Sequence, residues 1–388
     1  MVNARPVRSL ARRLAPAVST VGFGQSAFAA LVPLIATRTG LGTGEIGFAV
    51  AAGALAFVFG APLIGGHGTG FSQGSVLRAL GLLLLVGQLV LAGLVWAQPL
   101  APLAALWLLA ASRVVYGLGA SGVMPTAQAW VAREAHDSER QSLLALLSAG
   151  LGSGRILGAT AAMTASLAAP LPFLLLVLSP ITLLLAPGGG ERHRQTGGSR
   201  RMRPTRGMLP FLAAGFCLTM GFGQVQMILG PYLQARFGVA AVSATAATGL
   251  ILALVAMVMI LVQVMAVPRL PFGRKSNVVF GAGLLAFGAG IAAASGNLVA
   301  CAAGLVLGGI GVALASPAYL AWLVSRLEPE EQGAGAGWMA SAHVLGQGAG
   351  ALAGGYAFAL WPLLPFIACA CLASATAIAM LAMRQSAG

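Results

Sequence analysis

Two arginines, Arg113 and Arg155, stand inside long apolar runs, and theirs is the chemistry to explain first. A guanidinium is permanently charged and presents a planar fork of N–H donors that matches a carboxylate or phosphate. At a bilayer centre an arginine costs roughly 2.5–3.5 kcal/mol on insertion scales, so neither is expected to face lipid. At 1.5 Å per helical residue, Arg113 lies about 18 Å and Arg155 about 20 Å into their runs, near mid-depth. None of the eight Asp and Glu falls at that depth; the nearest is Glu45, at the outer start of the second run. Two interior cations without a carboxylate favour a small polar, anionic molecule as the group that meets them. The other reading is structural: each guanidinium bonds backbone carbonyls or polar neighbours and fixes helix packing.

Three amides extend this set. Gln25 and Gln224 each follow a Gly-Phe-Gly stretch, and Gln347 occupies the place of Arg155 in a similar later segment. An amide donates and accepts, which suits a substrate contact or gate, although a symmetric interhelical hydrogen bond is the plainer use of Gln25 and Gln224. Gln128, Tyr116 and Tyr319 are weaker lining candidates. Proton coupling needs a titratable group that changes exposure; Glu45, His67 and His343 qualify by type, and His343 is the best placed. A packing hydrogen bond is the other reading of that histidine. No catalytic residue, metal or cofactor is expected. The four His are scattered, the four Cys sit singly or in apolar surroundings as packing residues, and no H-E-x-x-H, G-x-S-x-G or phosphate-binding glycine loop appears.

The elements that must position these residues follow from composition. With 388 residues, 58% hydrophobic and 8% charged, and a mean hydropathy of +0.90, the chain carries more apolar side chain than one soluble core buries. In lipid, runs of about 20 apolar residues must be helices, because hydrocarbon cannot satisfy free backbone groups, and the strand-like alternation of a barrel is absent. Twelve are expected, near 15–37, 46–65, 77–97, 101–131, 142–166, 171–186, 209–234, 245–267, 278–294, 297–325, 333–357 and 362–383. The basic start and first apolar stretch resemble a signal peptide, but Gly and polar residues interrupt the stretch and more spans follow, so it is read as the first span.

Charge placement sets the topology. With the N-terminus cytoplasmic, only Arg38 and Arg236 of the 22 Lys and Arg fall outside, and Arg113 and Arg155 fall within spans. The remaining 18 lie on the cytoplasmic side, which favours both termini inside a bacterial inner membrane. The net charge of +14 is dispersed between apolar runs, which excludes a nucleic-acid groove. Trp96 and Trp361 at outer ends, and Trp130 and Trp322 at inner ends, read as interface anchors. Residues 187–207, rich in Gly and Arg, read as a flexible cytoplasmic linker between six-helix bundles at 1–186 and 208–388, with anionic lipid a minor contact.

An internal repeat supports those two bundles. Thr20-x-Gly22-Phe23-Gly24-Gln25 recurs as Thr219-x-Gly221-Phe222-Gly223-Gln224, offset by 199 residues. Gly117, Gly119, Pro125, Ala129 and Trp130 match Gly309, Gly311, Pro317, Ala321 and Trp322 at an offset of 192, and Gly154, Gly158 and Ala159 match Gly346, Gly350 and Ala351 at the same offset. Six spans separate each matched pair, so matched helices run in the same direction. The expected fold is an all-α polytopic membrane protein, twelve transmembrane helices in two parallel six-helix pseudo-repeats.

These residues resemble the major facilitator superfamily over essentially the whole chain. Arg113-x-x-Tyr116-Gly117-x-Gly119, with Ala120 following, is similar to the family's helix-four signature. Gly150, Gly154 and Gly158 approximate the helix-five ladder of its antiporters, with Ala159 where that signature has proline. The segment Gly65 to Gln73 sits where the family carries Asp-Arg-x-Gly-Arg-Arg, a pattern almost wholly lost here, which puts the usual charge-relay lock in doubt. The stretches Arg133 to Arg140 and Arg326 to Glu331 look like the equivalent loops after helices four and ten. There Asp137, Glu139, Glu330 and Glu331 either supply an alternative cytoplasmic latch or are solvated surface charges.

The resemblance implies a secondary transporter working by alternating access, with Gln25, Arg113, Arg155, Gln224 and Gln347 about its substrate and no cofactor. The Gly-Phe-Gly-Gln start of helix one, continued by an Ala-Leu-rich stretch with Pro33, is similar to the family's bacterial exporters of carboxylate or hydroxamate siderophores. A multidrug:proton antiporter is the second transporter reading. A membrane enzyme or a non-transporting sensor is the reading from another class; the clustered carboxylates or His of the first and the extra soluble domain of the second are missing.

Overall fold

Lipid offers a backbone N–H no partner, and the apolar runs satisfy theirs within helices. The computed structural model describes residues 5–66, 71–96, 100–190, 203–270, 274–328 and 331–383. Its helices are α1 (Arg5–Thr39), α2 (Thr43–Gly66), α3 (Gln73–Trp96), α4 (Pro102–Glu134), α5 (Asp137–Met163), α6 (Leu171–Leu178) and α7 (Ile181–Leu184). They continue as α8 (Leu209–Phe237), α9 (Ala241–Leu261), α10 (Arg274–Ala294), α11 (Leu298–Val324), α12 (Gln332–Leu360) and α13 (Leu364–Ala382). Because α6 and α7 are two pieces of one apolar segment, Leu171–Leu184, the expected twelve helical segments are present.

Ten of these helices are long and apolar enough to cross a membrane. The 29-residue α12 is long enough, but its glycines and polar side chains dilute its hydropathy. The sixth segment was expected to run unbroken over 171–186. It breaks at Ser179-Pro180, where proline has no N–H to give, although Pro33, Pro125, Pro231 and Pro317 are carried inside continuous helices. In the other direction, α1 starts about three turns before the expected 15–37. Its first turns are amphipathic, with Ala11 and Leu14 buried and Arg8, Arg12 and Arg13 exposed.

The chain packs as two units. The first comprises Met1–Leu41, Ala52–Gly197 and Ala241–Ala253; the second comprises Gly42–Ala51, Gly198–Ala240 and Leu254–Gly388. Each unit therefore includes the first turns of a helix from the other half of the sequence. In the first unit the start of α9 lies on α5, where a Cβ at Gly249 would stand 2.5 Å from the Ala159 carbonyl oxygen. In the second, the start of α2 lies on α12, where Thr43 Oγ1 donates to the Gly355 carbonyl at 2.7 Å.

Small residues set the helix spacing. In the first unit Gly150, Gly154 and Gly158 place three successive turns of α5 on α1, so that added Cβ atoms would meet the carbonyl oxygens of Ala15, Ser19 and Phe23 at 2.5, 2.0 and 2.2 Å. In the second unit Gly346, Gly350 and Gly354 bring α12 onto α8 in the same manner, against Phe216, Met220 and Gln224.

The first residues after the α7 segment are docked. Gly74 N donates to Gly189 O at 3.1 Å, and Arg78 Nη2 donates to Ala186 O at 3.3 Å. Gly189 and Gly190 have φ of 106° and 84°, a left-handed backbone that side chains other than glycine rarely adopt. Gly190 closes over Gln73 and Trp130. Trp130 is consequently 4% exposed, and Trp322, stacked edge-on to Phe211, is 6% exposed. These two tryptophans are interior packing residues, contrary to their reading as interface anchors. Trp96 and Trp361 are exposed, at 41% and 50%.

Candidate functional site

Arg113 is positioned by three helices of the first unit. It projects from α4, whose backbone approaches α2 at Gly53 and α3 at Gly87. The guanidinium lies 4.4 Å from the Phe28 ring of α1 and 5.0 Å from the Tyr116 ring, the charge resting on aromatic faces. Its Nη2 donates to Gln88 Oε1 of α3 at 3.1 Å, and Nε donates to Ser112 Oγ at 3.1 Å. Arg113 is 4% exposed and Gln88 is 1% exposed, and the Gln88 amide nitrogen has no partner. A buried cation is thus held by neutral groups.

Tyr116 links this cluster to the start of helix one. Its hydroxyl donates to Val21 O at 2.9 Å, and its ring lies where a Cβ on Gly24 would fall. Gly22, on the other side of the same stretch, lies against α5, with a Cβ there 2.1 Å from Leu151 O and 3.2 Å from Arg155 Cγ. Close approach is therefore what the Gly-Phe-Gly stretch provides, between α4 and α5. Arg155 is half-buried beside it and interacts electrostatically with Tyr116. Among the described residues no hydrogen bond or ion pair holds the Arg155 guanidinium. Gln25, one turn beyond Gly22 on α1, is half-buried as well.

Gln224, Gln347 and His343 belong to the second unit. Gln224 is 1% exposed in the α8–α12 seam, its amide nitrogen unpartnered. Its environment thus differs from that of half-buried Gln25, although the two match in sequence. Gln347 is half-buried beside Gly223. His343 Nε2 meets the Tyr319 hydroxyl at 2.7 Å. Glu45 accepts from Gly42 N at 2.7 Å and so caps the start of α2. In the first unit Glu139 pairs with Arg8 of α1. The Asp137 side chain, His67 and Glu330 lie outside the described residues.

Gln88, Ser112 and Phe28 were missed as partners of Arg113. One signal was available for Gln88, a lone amide in the Leu-rich run of α3. Among the described residues no group of three His, Cys, Asp or Glu is placed to hold a metal ion, and the four cysteines are free.

Twelve helical segments among the described residues, ten of them long and apolar enough to cross a membrane, define a polytopic membrane protein. The sequence profile of the Major Facilitator Superfamily matches residues 14–271, and the chain belongs to that family. A comparison with curated protein sequences gives no match. Among solved structures, the chain is similar to a D-xylose–proton symporter at 14% identity and a TM-score of 0.78, covering 96% of this chain and 97% of that one. The nucleoside transporter NupG gives 11% identity and a TM-score of 0.74, over 96% and 98% of the two chains. The human organic anion transporter MFSD10 gives 17% identity and a TM-score of 0.64, over 97% and 99%. At such identities the likeness is one of fold.

Proposed function

We propose that this transporter moves a small anionic molecule by alternating access, with Arg155 as the direct anion contact and Arg113 as a fixed charge behind it. The observation that carries the reading is the uncompensated charge of the first unit. Arg113 is fastened by Gln88, Ser112 and two aromatic rings, none of which neutralises it. Arg155 is half-buried with no hydrogen bond or ion pair among the described residues, and α1, α3 and α4 bring no carboxylate to mid-helix. Burying charge without a partner is expensive, so a bound anion has the most to stabilise there. Gln25 completes the proposed contacts of the first unit; in the second unit, taken by itself, Gln347 is a proposed substrate contact and Gln224 a positioning residue in its seam.

Sugar, nucleoside and organic anion transporters share this fold, so charge and not fold selects the substrate class. Export, with a carboxylate or hydroxamate siderophore as the leading compound, is supported by the Gly22-Phe23-Gly24-Gln25 start of α1. Placement in a bacterial inner membrane with both termini cytoplasmic is supported by the distribution of Lys and Arg.

The test is retention of anionic metabolites, siderophores included, in deletion cells carrying wild type, Arg113→Ala or Arg155→Ala at verified membrane levels. Wild type is expected to restore release of a compound that neither variant releases. Normal release by both variants would make these arginines structural and remove the basis of the anion assignment.

A further inference from the structure

We propose that His343 and Tyr319 form a proton-binding pair in the second unit and that this pair carries the coupling proton; the coupling, though not the proton site, rests on the transport reading above. The two residues come from different helices, His343 from α12 and Tyr319 from α11, and their rings meet edge to face at 5.6 Å. The hydroxyl lies 2.7 Å from His343 Nε2 and 3.3 Å from Ser316 Oγ. Tyr319 is fully buried, whereas the imidazole is half-buried. The ring is therefore less enclosed within its unit than the phenol.

This arrangement serves both protonation states. With Nε2 unprotonated, the phenol donates to it. When a proton binds there, Nε2–H donates to the phenol oxygen, and the phenolic hydrogen turns to Ser316 Oγ, which stands within reach on the same helix. One proton is taken up, no other bond is broken, and the hydrogen-bond chain reverses direction. Imidazole is the side chain whose ordinary titration falls in the physiological range.

No other group in the helices packed on α12 substitutes for this pair. From α8, Gly215 lies against the ring, with Met339 of α12 at the same place. The remaining titratable or charged groups of α8 are Cys217, Tyr232 and Arg236. Tyr232 is engaged with Ala292 O and Arg236 with Ser295 O. Besides Tyr319, α11 contributes Cys301, and α13 contributes Cys369 and Cys371. The α2 start brings Glu45, held on Gly42 N, and α12 itself has Tyr356 and, about 18 Å along the helix, Glu331. No carboxylate lies within α8, α11, α12 or α13.

The internal repeat supplies a second, independent argument. Stepping back by the offset of 192, His343 corresponds to Leu151 and Tyr319 to Ala127. The first half builds the matching helices with apolar residues at both places, so helix packing of this kind does not need the polar pair.

The experiment uses full-length protein with isotope-labelled histidine in nanodiscs of phosphatidylethanolamine and phosphatidylglycerol, with the His343 imidazole resonance assigned by its loss in His343→Gln. That resonance is expected to titrate and to move its midpoint in Tyr319→Phe. A resonance that does not titrate, or a curve that Tyr319→Phe leaves unmoved, overturns the pair. A parallel assay gives everted vesicles an isotope-labelled small-acid extract of the host cells and imposes a pH gradient. Wild type is expected to accumulate an anionic component under the gradient, and His343→Gln to lose that stimulation while keeping exchange. Undiminished gradient-driven accumulation in His343→Gln overturns the coupling role. Failure of wild type to move any acid counts against the anion reading, and the resonance still decides the proton pair.

Discussion

Arg155→Gln separates an anion contact from a packing residue, because the protein already carries glutamine at the matching position, Gln347. The substitution removes the charge and leaves an amide beside Gly22, where α1 and α5 are closest. Since no hydrogen bond or ion pair holds Arg155 among the described residues, its loss breaks no such bond, and the melting temperature in lipid nanodiscs is expected to hold or rise slightly. A hydrogen bond between an ionised donor and an anion contributes about 1.5–3 kcal/mol. At 1.4 kcal/mol per factor of ten, the KM for the transported anion should rise roughly 10- to 150-fold. Arg155→Lys keeps the charge but loses the planar fork, so its KM should fall between the two. The assay is initial-rate uptake into everted vesicles at matched protein level. An unchanged KM together with a clear drop in melting temperature would refute the reasoning and assign Arg155 to packing.

Gln88→Leu takes the acceptor from Arg113 Nη2 and leaves a buried charged donor unpaired, which should cost about 1–3 kcal/mol, read as a lower melting temperature. Gly154→Val places a branched side chain where a Cβ alone would lie 2.0 Å from Ser19 O. Overpacking of about 1–3 kcal/mol should then reduce folded yield, whereas Gly283→Ala, with nothing within 4 Å of its Cβ, should be neutral or stabilising. Glu139→Ala should change stability by less than about 1 kcal/mol, because its partner Arg8 is 60% exposed and such pairs are weak, and transport should be retained.

Much of the fold was legible because lipid leaves few options. An apolar run must become a helix, glycines at four-residue spacing make a smooth face, and repeated motifs give the correspondence between halves. What spacing along one helix cannot give is the partner across it. Gln88 meets Arg113 from 25 residues away and Tyr319 meets His343 from 24 away, and nothing local in either sequence names the other. Trp130 looked like an interface residue for the same reason: its cover, Gly190, comes from a segment read as a flexible linker. The break at Pro180 was not legible from its missing N–H alone, because Pro33, Pro125, Pro231 and Pro317 stand inside continuous helices. Glu45 is a coupling candidate by residue type, yet its position three residues after Gly42 suits the cap that it forms.

Within the site, the repeat distinguishes what the fold requires from what it does not. Positions at which the halves agree, such as Gly117 and Gly309 or Gly154 and Gly346, meet neighbouring helices at close range. The residues proposed above for the chemistry stand where the halves differ: Arg113 aligns with Leu305, Arg155 with Gln347, and His343 with Leu151. The first half therefore holds permanent charge and the second holds a titratable ring. A guanidinium can attract an anion but does not release its proton at physiological pH, while an imidazole does so readily. On the readings proposed above, substrate and proton occupy different groups, because a permanent charge cannot itself give up a proton to release its anion.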